Sequence, residues 1–189
     1  MKLTNTRKAL RVFATSVVRD AKSNLSKQKM GRSNLAKSLG FTVKQKKVGK
    51  LIEMVEFTFG RSSNYWQYVD EGVRGKGGYK GKGGRGRARG KGSPFKFKKR
   101  NIKKGVIARW IKRKRIRLRD AKGKFKKKTK SAIKSAAFAI GEAIALRGLT
   151  RTQFFSSAYN KQLKLNTNKI VNAYAEDLAE DTRKKLNTD

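Results

Sequence analysis

Residues 41–59 read FTVKQKKVGKLIEMVEFTF, and the fold class turns on them. Apolar and polar positions alternate on both sides of Gly49, which predicts extended runs over Phe41 to Lys47 and Leu51 to Phe59, with Leu51, Val55, Phe57 and Phe59 on one face. Gly49 supplies the turn, so the two runs pair as a hairpin. Upstream, Leu10, Phe13, Ala14, Val17, Ala21 and Leu25 recur at helical spacing and form the apolar face of a long helix. A short helix capped by Ser33 and carrying Leu35 and Leu39 follows, and Gly40 permits a change of direction before the first strand. The expected fold is therefore α+β, with a long N-terminal helix packed on a small antiparallel sheet, an extended basic glycine-rich loop and C-terminal helices.

Beyond the hairpin, Tyr65, Trp66, Tyr68 and Val69 make an aromatic cluster that ends at Asp70 and Glu71. Two readings stand: the rings close the core, or they stack on bases beside basic residues. Asp70 and Glu71 are adjacent, so on a helix they point in different directions and do not form a catalytic pair. Farther on, Ser131 to Leu146 is helical, with Ile133, Ala137, Ile140 and Ile144 on one side and small Ser135, Ala136, Ala139 and Ala143 allowing close backbone approach. Gly148 stops that helix, and Thr150, Thr152 or Ser156 caps the next. Phe154 and Phe155 fall at the corner between them. Two adjacent phenylalanines cannot both face one helical stripe, which leaves a core role for both or a role for one as an anchor on a neighbouring subunit. The last helix, about Asn168 to Lys185, is expected to place Ile170, Val171, Tyr174 and Leu178 inside and Glu176, Asp177, Glu180 and Asp181 outside.

Charge decides the class of partner. The 189 residues hold 51 Lys or Arg against 12 Asp or Glu, a formal charge of +39. Residues 72–130 hold 27 of the basic residues and one acid, Asp120, and so 26 of the 39 excess charges. Like charges this dense repel within a Debye length of about 8 Å, and a partner of opposite sign relieves them. Gly72 to Gly92 has ten glycines, eight Lys or Arg, and otherwise only Val73, Tyr79 and Ala88. Such a stretch buries too little to offset its ordering entropy and is expected to be a flexible loop in a lone chain. Its cations Arg74, Lys76, Lys80, Lys82, Arg85, Arg87, Arg89 and Lys91 form a candidate polyanion-binding loop. Asn101 to Arg119 follows as a helix, N-capped by Asn101, with Ile102, Val106, Trp110 and Ile111 on its apolar stripe. Its cations Lys103, Lys104, Arg109, Lys112, Arg113, Lys114 and Arg115 suit nucleic acid, an anionic membrane surface, an acidic protein face or plain solvent. Asp120, Lys122 and Gly123 mark a turn before Phe125.

Composition also excludes mechanisms. With no histidine and no cysteine the chain has no imidazole base, thiolate nucleophile, zinc finger, iron-sulfur site or disulfide. Lys91-Gly92-Ser93 lacks the order of a P-loop. The chain is read as a non-enzyme without cofactors. Arg11 interrupts the apolar residues of Met1 to Val18, so a folded helix is expected there rather than a secretory signal. The longest apolar run, Ala136 to Gly141, falls far short of the roughly 20 residues of a membrane span, and no membrane partner is expected. Segments are assigned as an N-terminal α+β core (1–71), the loop (72–92), a basic strand and helix insertion (93–130), and a C-terminal helical part of the same domain (131–189).

Four stretches carry a family likeness: Gly31-Arg32-Ser33-Asn34-Leu35-Ala36-Lys37-Ser38-Leu39, Tyr65 to Gly72 with Val73, Ser93-Pro94-Phe95, and Arg147 to Phe155. In this order the chain resembles the head-tail connector and tail-completion proteins of tailed phages, the ring-forming subunits of the neck and upper tail. It departs from them in the basic, glycine-rich loop and in the insertion from Asn101 to Lys130. The resemblance implies an α+β virion subunit that performs no chemistry and assembles in the host cytoplasm as a ring around the DNA channel, twelvefold rather than sixfold. Its partners would be the portal, other neck and tail proteins, and packaged DNA. Interface candidates are Tyr65, Trp66, Tyr68, Phe154, Phe155, Glu176, Asp177, Glu180 and Asp181. The cationic middle and acidic end suit head-to-tail contacts between copies, and strand addition between subunits is a further route. The alternative is a ribosomal or nucleoid-type nucleic-acid binder, for which eight loop charges on duplex DNA predict a log-affinity against log-salt slope of about −7.

Overall fold

The computed structural model describes residues 3–48, 50–77, 89–98, 102, 104–119, 123–125 and 127–187. In chain order its elements are α1 (Thr4–Lys27), α2 (Asn34–Ser38), β1 (Gly40–Val48), β2 (Lys50–Thr58), a 3-10 turn (Gly60–Ser62), α3 (Trp66–Asp70), β3 (Val73–Arg74), α4 (Lys104–Arg113), α5 (Lys130–Arg147), β4 (Gly148–Leu149) and α6 (Ser156–Leu186). The chain is α+β, as expected. It divides into two units, residues 1–66 with 152–189, and residues 67–151. The boundary near residue 151 cuts the expected C-terminal part in two: α5 belongs to the second unit and α6 to the first.

In the first unit α1 packs along α6 and against the hairpin. Strands β1 and β2 pair antiparallel in the register Gly40 to Thr58 through Val48 to Lys50, as the alternation predicts, and the turn residue Gly49 lies outside the described residues. The Ser33 side chain accepts a hydrogen bond from the Ala36 amide (3.2 Å), which makes the expected cap of α2. Phe13, Phe57, Phe59, Trp66, Phe155 and Tyr159 form one ring cluster. Trp66 stacks on Phe59 at 4.2 Å, and Phe155 meets Phe57, Phe59 and Trp66 edge-on at 5.2–5.6 Å.

The expected break before Asn168 is absent, and Ser156 to Leu186 is a single helix. The segment contains no glycine or proline. Its helix-competing polar residues bond back one turn instead: Asn166 Nδ2 donates to the Gln162 carbonyl (2.8 Å), and Thr167 Oγ1 donates to that of Leu163 (2.6 Å). Phe155, rather than Thr150, Thr152 or Ser156, occupies the N-cap position of α6 and makes no side-chain cap bond.

In the second unit α5 begins at a Thr129 cap, whose Oγ1 accepts from the Ala132 amide (3.1 Å). Helix α4 packs on α5 through Ile107, Ile111, Leu118, Ile133 and Ala137. The expected helix Asn101 to Arg119 is shorter: α4 ends at Arg113, and Arg115 takes φ +51° in a cap where the Ile116 amide donates to the Ile111 carbonyl (3.1 Å). Beyond the cap the chain is extended, with Ile116 and Leu118 inward and Arg117 and Arg119 outward. The alternation Ile-Arg-Leu-Arg is a strand pattern that a heptad-minded reading absorbs into the helix. The proposed N-cap Asn101 lies outside the described residues.

Candidate polyanion-binding surface

The 67–151 unit holds 30 Lys or Arg against four acids. Helix α4 buries Ile107 and Ile111 against α5, and this sends Arg109, Lys112, Arg113, Lys114 and Arg115 to the surface. Lys104 opens α4, and Lys103 lies outside the described residues. Beside α4 is a cleft of about 650 Å³ lined by Val106, Ile107, Arg109, Trp110, Arg113 and Ile144. Val106 and Trp110 are 48 % and 37 % exposed in it. A second exposed ring, Phe125, has the Arg119 guanidinium 4.2 Å from its centre and that of Arg117 at 5.4 Å. The candidate set omitted Phe125, Arg117 and Arg119, although an aromatic residue among lysines, Lys124-Phe125-Lys126, was a readable signal.

The stems of the glycine-rich loop are built, not slack. Strands β3 and β4 pair Val73 with Leu149 and Arg74 with Gly148. The Arg74 amide donates to the Phe95 carbonyl (2.8 Å), the Phe97 amide to that of Arg74 (3.0 Å), and Ser93 Oγ to that of Gly72 (2.8 Å). The amides of Lys76, Gly77 and Arg89 donate to three successive carbonyls at the end of α5, those of Ala145, Leu146 and Arg147. Glycine is required where these backbones cross. A Cβ on Gly90 would lie 2.5 Å from the Val73 carbonyl oxygen, and on Gly148, at φ +89°, it would collide with the same atom. The reading of Gly72 to Gly92 as one flexible stretch is therefore corrected at both ends: Gly72 and Gly90 are buried packing positions. Arg74, Lys76, Arg89 and Lys91 are exposed around the crossing, whereas Lys80, Lys82, Arg85 and Arg87 lie outside the described residues.

Most of the interface candidates of the first unit are occupied within it. Trp66 and Phe155 belong to the ring cluster, and Phe154 is fully buried with its carbonyl accepting from Asn24 Nδ2 (3.1 Å). Both phenylalanines fit because they sit in the turn and at the N-cap, so a single helical face need not hold them. Tyr65 stays partly exposed and its hydroxyl accepts from Ser62 Oγ (2.9 Å); Tyr68, in the second unit, tilts on Phe95 at 4.5 Å.

The acidic face of α6 is also corrected. Asp177 is 1 % exposed and caps α1 from across the helix pair, accepting from the Asn5 amide (2.9 Å), the Thr6 amide (2.8 Å) and Thr6 Oγ1 (2.7 Å). Leu3 at the N-cap position of α1 makes no side-chain cap bond, so the carboxylate from α6 satisfies the orphan amides. Burial raises the Asp177 pKa, but the bonds from Thr6 and Asn5 outweigh it and hold the carboxyl below the usual aspartate value. Asp181 is likewise held low by its hydrogen bond from Lys185. Only Glu176 and Glu180 of the four remain exposed acids.

Conversely, Val171 (57 % exposed), Tyr174 and Leu178, expected inside, form an exposed stripe with Leu163. The buried side of α6 is Ala158, Gln162, Asn166 and Asp177, a mostly polar seam in which Gln162 Nε2 donates to Asp20 (2.8 Å). A rule that sends apolar residues inward misses a helix whose partner offers hydrogen bonds.

Among the described residues no group of three or more acidic side chains is placed to hold a metal, and no helix is long and apolar enough to cross a membrane. No protein family, curated protein or solved structure matches the chain.

Proposed function

We propose that the chain is a structural subunit of a tailed-phage virion, a neck or head-tail connector ring protein that joins portal and tail around the DNA channel and performs no chemistry. One observation carries this reading. Three of the stretches that resemble the family, Tyr65 to Gly72 with Val73, Ser93-Pro94-Phe95 and Arg147 to Phe155, have parts that meet at one backbone crossing: Val73 pairs with Leu149, Ser93 bonds Gly72, and Arg74 bonds Phe95. Motifs that depend on one another sterically act as a single signature, which is weightier than separate likenesses. The exposed stripe of Leu163, Val171, Tyr174 and Leu178 supports a multi-copy state, since a 31-residue helix with that much apolar surface in water favours self-association. Contact between copies through this stripe replaces the acid-to-base contact, now that Asp177 is engaged internally.

Electron microscopy and native mass spectrometry of the purified chain test the reading. Rings of twelve, or of six, are expected, and V171E with L178E should dissolve them while leaving the helical circular dichroism unchanged. Solitary monomers with no bound partner overturn it. The cations of the 67–151 unit favour a second reading, a ribosomal or nucleoid-type binder; a monomer whose duplex affinity falls with a log-salt slope of about −7 supports that instead.

A further inference from the structure

We infer that the cleft beside Trp110 is a stacking site for the unpaired bases of a single-stranded nucleic acid. This inference rests on the polyanion-facing part of the reading above and not on the ring. A cationic surface by itself attracts any polyanion, and duplex DNA more strongly than a single strand because its charge is denser. What distinguishes an unpaired strand is the exposed π-face of each base, and a surface exploits that only by presenting an accessible ring beside cations.

Helix α4 does so. Val106 and Trp110 are exposed on its flank next to the buried Ile107, and Arg109 and Arg113 line the same cleft. At about 650 Å³ the cleft falls within the size range of small-ligand sites, and no acid lines it. The occupant must supply a flat apolar face and negative charge together, and a nucleotide strand has this pairing at every residue. Phe125, 56 % exposed under Arg119, repeats the combination of ring and guanidinium on the same unit.

The test uses the full chain, an oligothymidine strand, a duplex of equal charge, and heparin as a polyanion without bases. W110A should weaken oligothymidine binding about tenfold and leave heparin affinity and the salt slope unchanged. W110F, which keeps a ring, should recover most of the loss. The chain has two tryptophans, and Trp66 is stacked in the ring cluster on Phe59. Fluorescence quenching by oligothymidine should therefore disappear in W110F. Equal losses for heparin and oligothymidine, or no loss for either, overturn the inference. Equal quenching by polyglutamate also overturns it, by giving the cleft to an acidic protein. Rings that form without quenching refute this inference alone, whereas quenching by a solitary monomer upholds it and refutes the ring.

Discussion

The two units solve the problem of excess positive charge in opposite ways. The first, residues 1–66 and 152–189, has 21 Lys or Arg and eight acids, and most of those acids have partners within the unit. Asp20 takes Gln162 and Lys161, Glu53 takes Gln45 with Arg7 at 3.8 Å, Glu56 takes Lys44, and Asp177 caps α1. The second unit, with 30 Lys or Arg and four acids, coheres through a small aliphatic core and glycine-to-carbonyl packing, with Asp70 buried at 1 % exposure. Ion pairs and long-range side-chain hydrogen bonds are thus prominent in the first unit, whereas backbone packing and aliphatic burial are prominent in the second. Most of the second unit's described cations are exposed.

The largest expected effect probes the first unit's core. Phe154→Ala removes a fully buried ring and should cost about 3–5 kcal/mol in denaturant unfolding. If the cost were under 1 kcal/mol, the corner would not be core. In the second unit, Gly148→Ala adds a methyl group at positive φ against the Val73 carbonyl, and a loss of about 3 kcal/mol is expected. Hydrogen exchange should show protection lost in 67–151 and retained in α1 and α6; uniform loss would mean that the units do not unfold separately.

Asp177→Asn should cost about 1–2 kcal/mol at neutral pH. Because the native carboxyl sits below its unfolded value of about 3.9, its contribution is fully present above that pH and is lost as the pH falls through the lower native value. The wild type should therefore lose stability on acidification more steeply than the variant, and parallel acid limbs would remove Asp177 from the account. The smallest effect has the opposite sign. Gly105 lies within α4 with open space where a Cβ would sit, so Gly105→Ala should stabilise by about 0.5–1 kcal/mol, readable as a higher Tm.

Much of the architecture was legible because it follows from local periodicity. The Phe13 to Leu25 stripe, the Ser33 cap, the hairpin about Gly49 and the stop at Gly148 each need only a few neighbouring residues to be recognised. The failures share a different cause. Asp177 looked like a surface acid because its partners, Asn5 and Thr6, lie about 170 positions away. Val171, Tyr174 and Leu178 looked buried because nothing local indicates that α1 presents Asp20 and amide groups to α6. The glycines of 72–92 looked like slack because composition does not distinguish a hinge from a backbone crossing. In the candidate site, the cations of α4 and the ring at Phe125 were legible locally, whereas the exposure of Trp110, read as part of the apolar stripe, depends on how α4 packs on α5.

The amides of Gly77 and Arg89 bond the consecutive carbonyls of Leu146 and Arg147. Both ends of the excursion between them are thus moored to one helix terminus, and the mooring uses only main-chain atoms and glycines. Because donors and acceptors alike belong to the backbone, exchanging the side chain of Lys76 or Arg89 should leave these bonds in place, so charge at the crossing can change without loss of the fold that presents it.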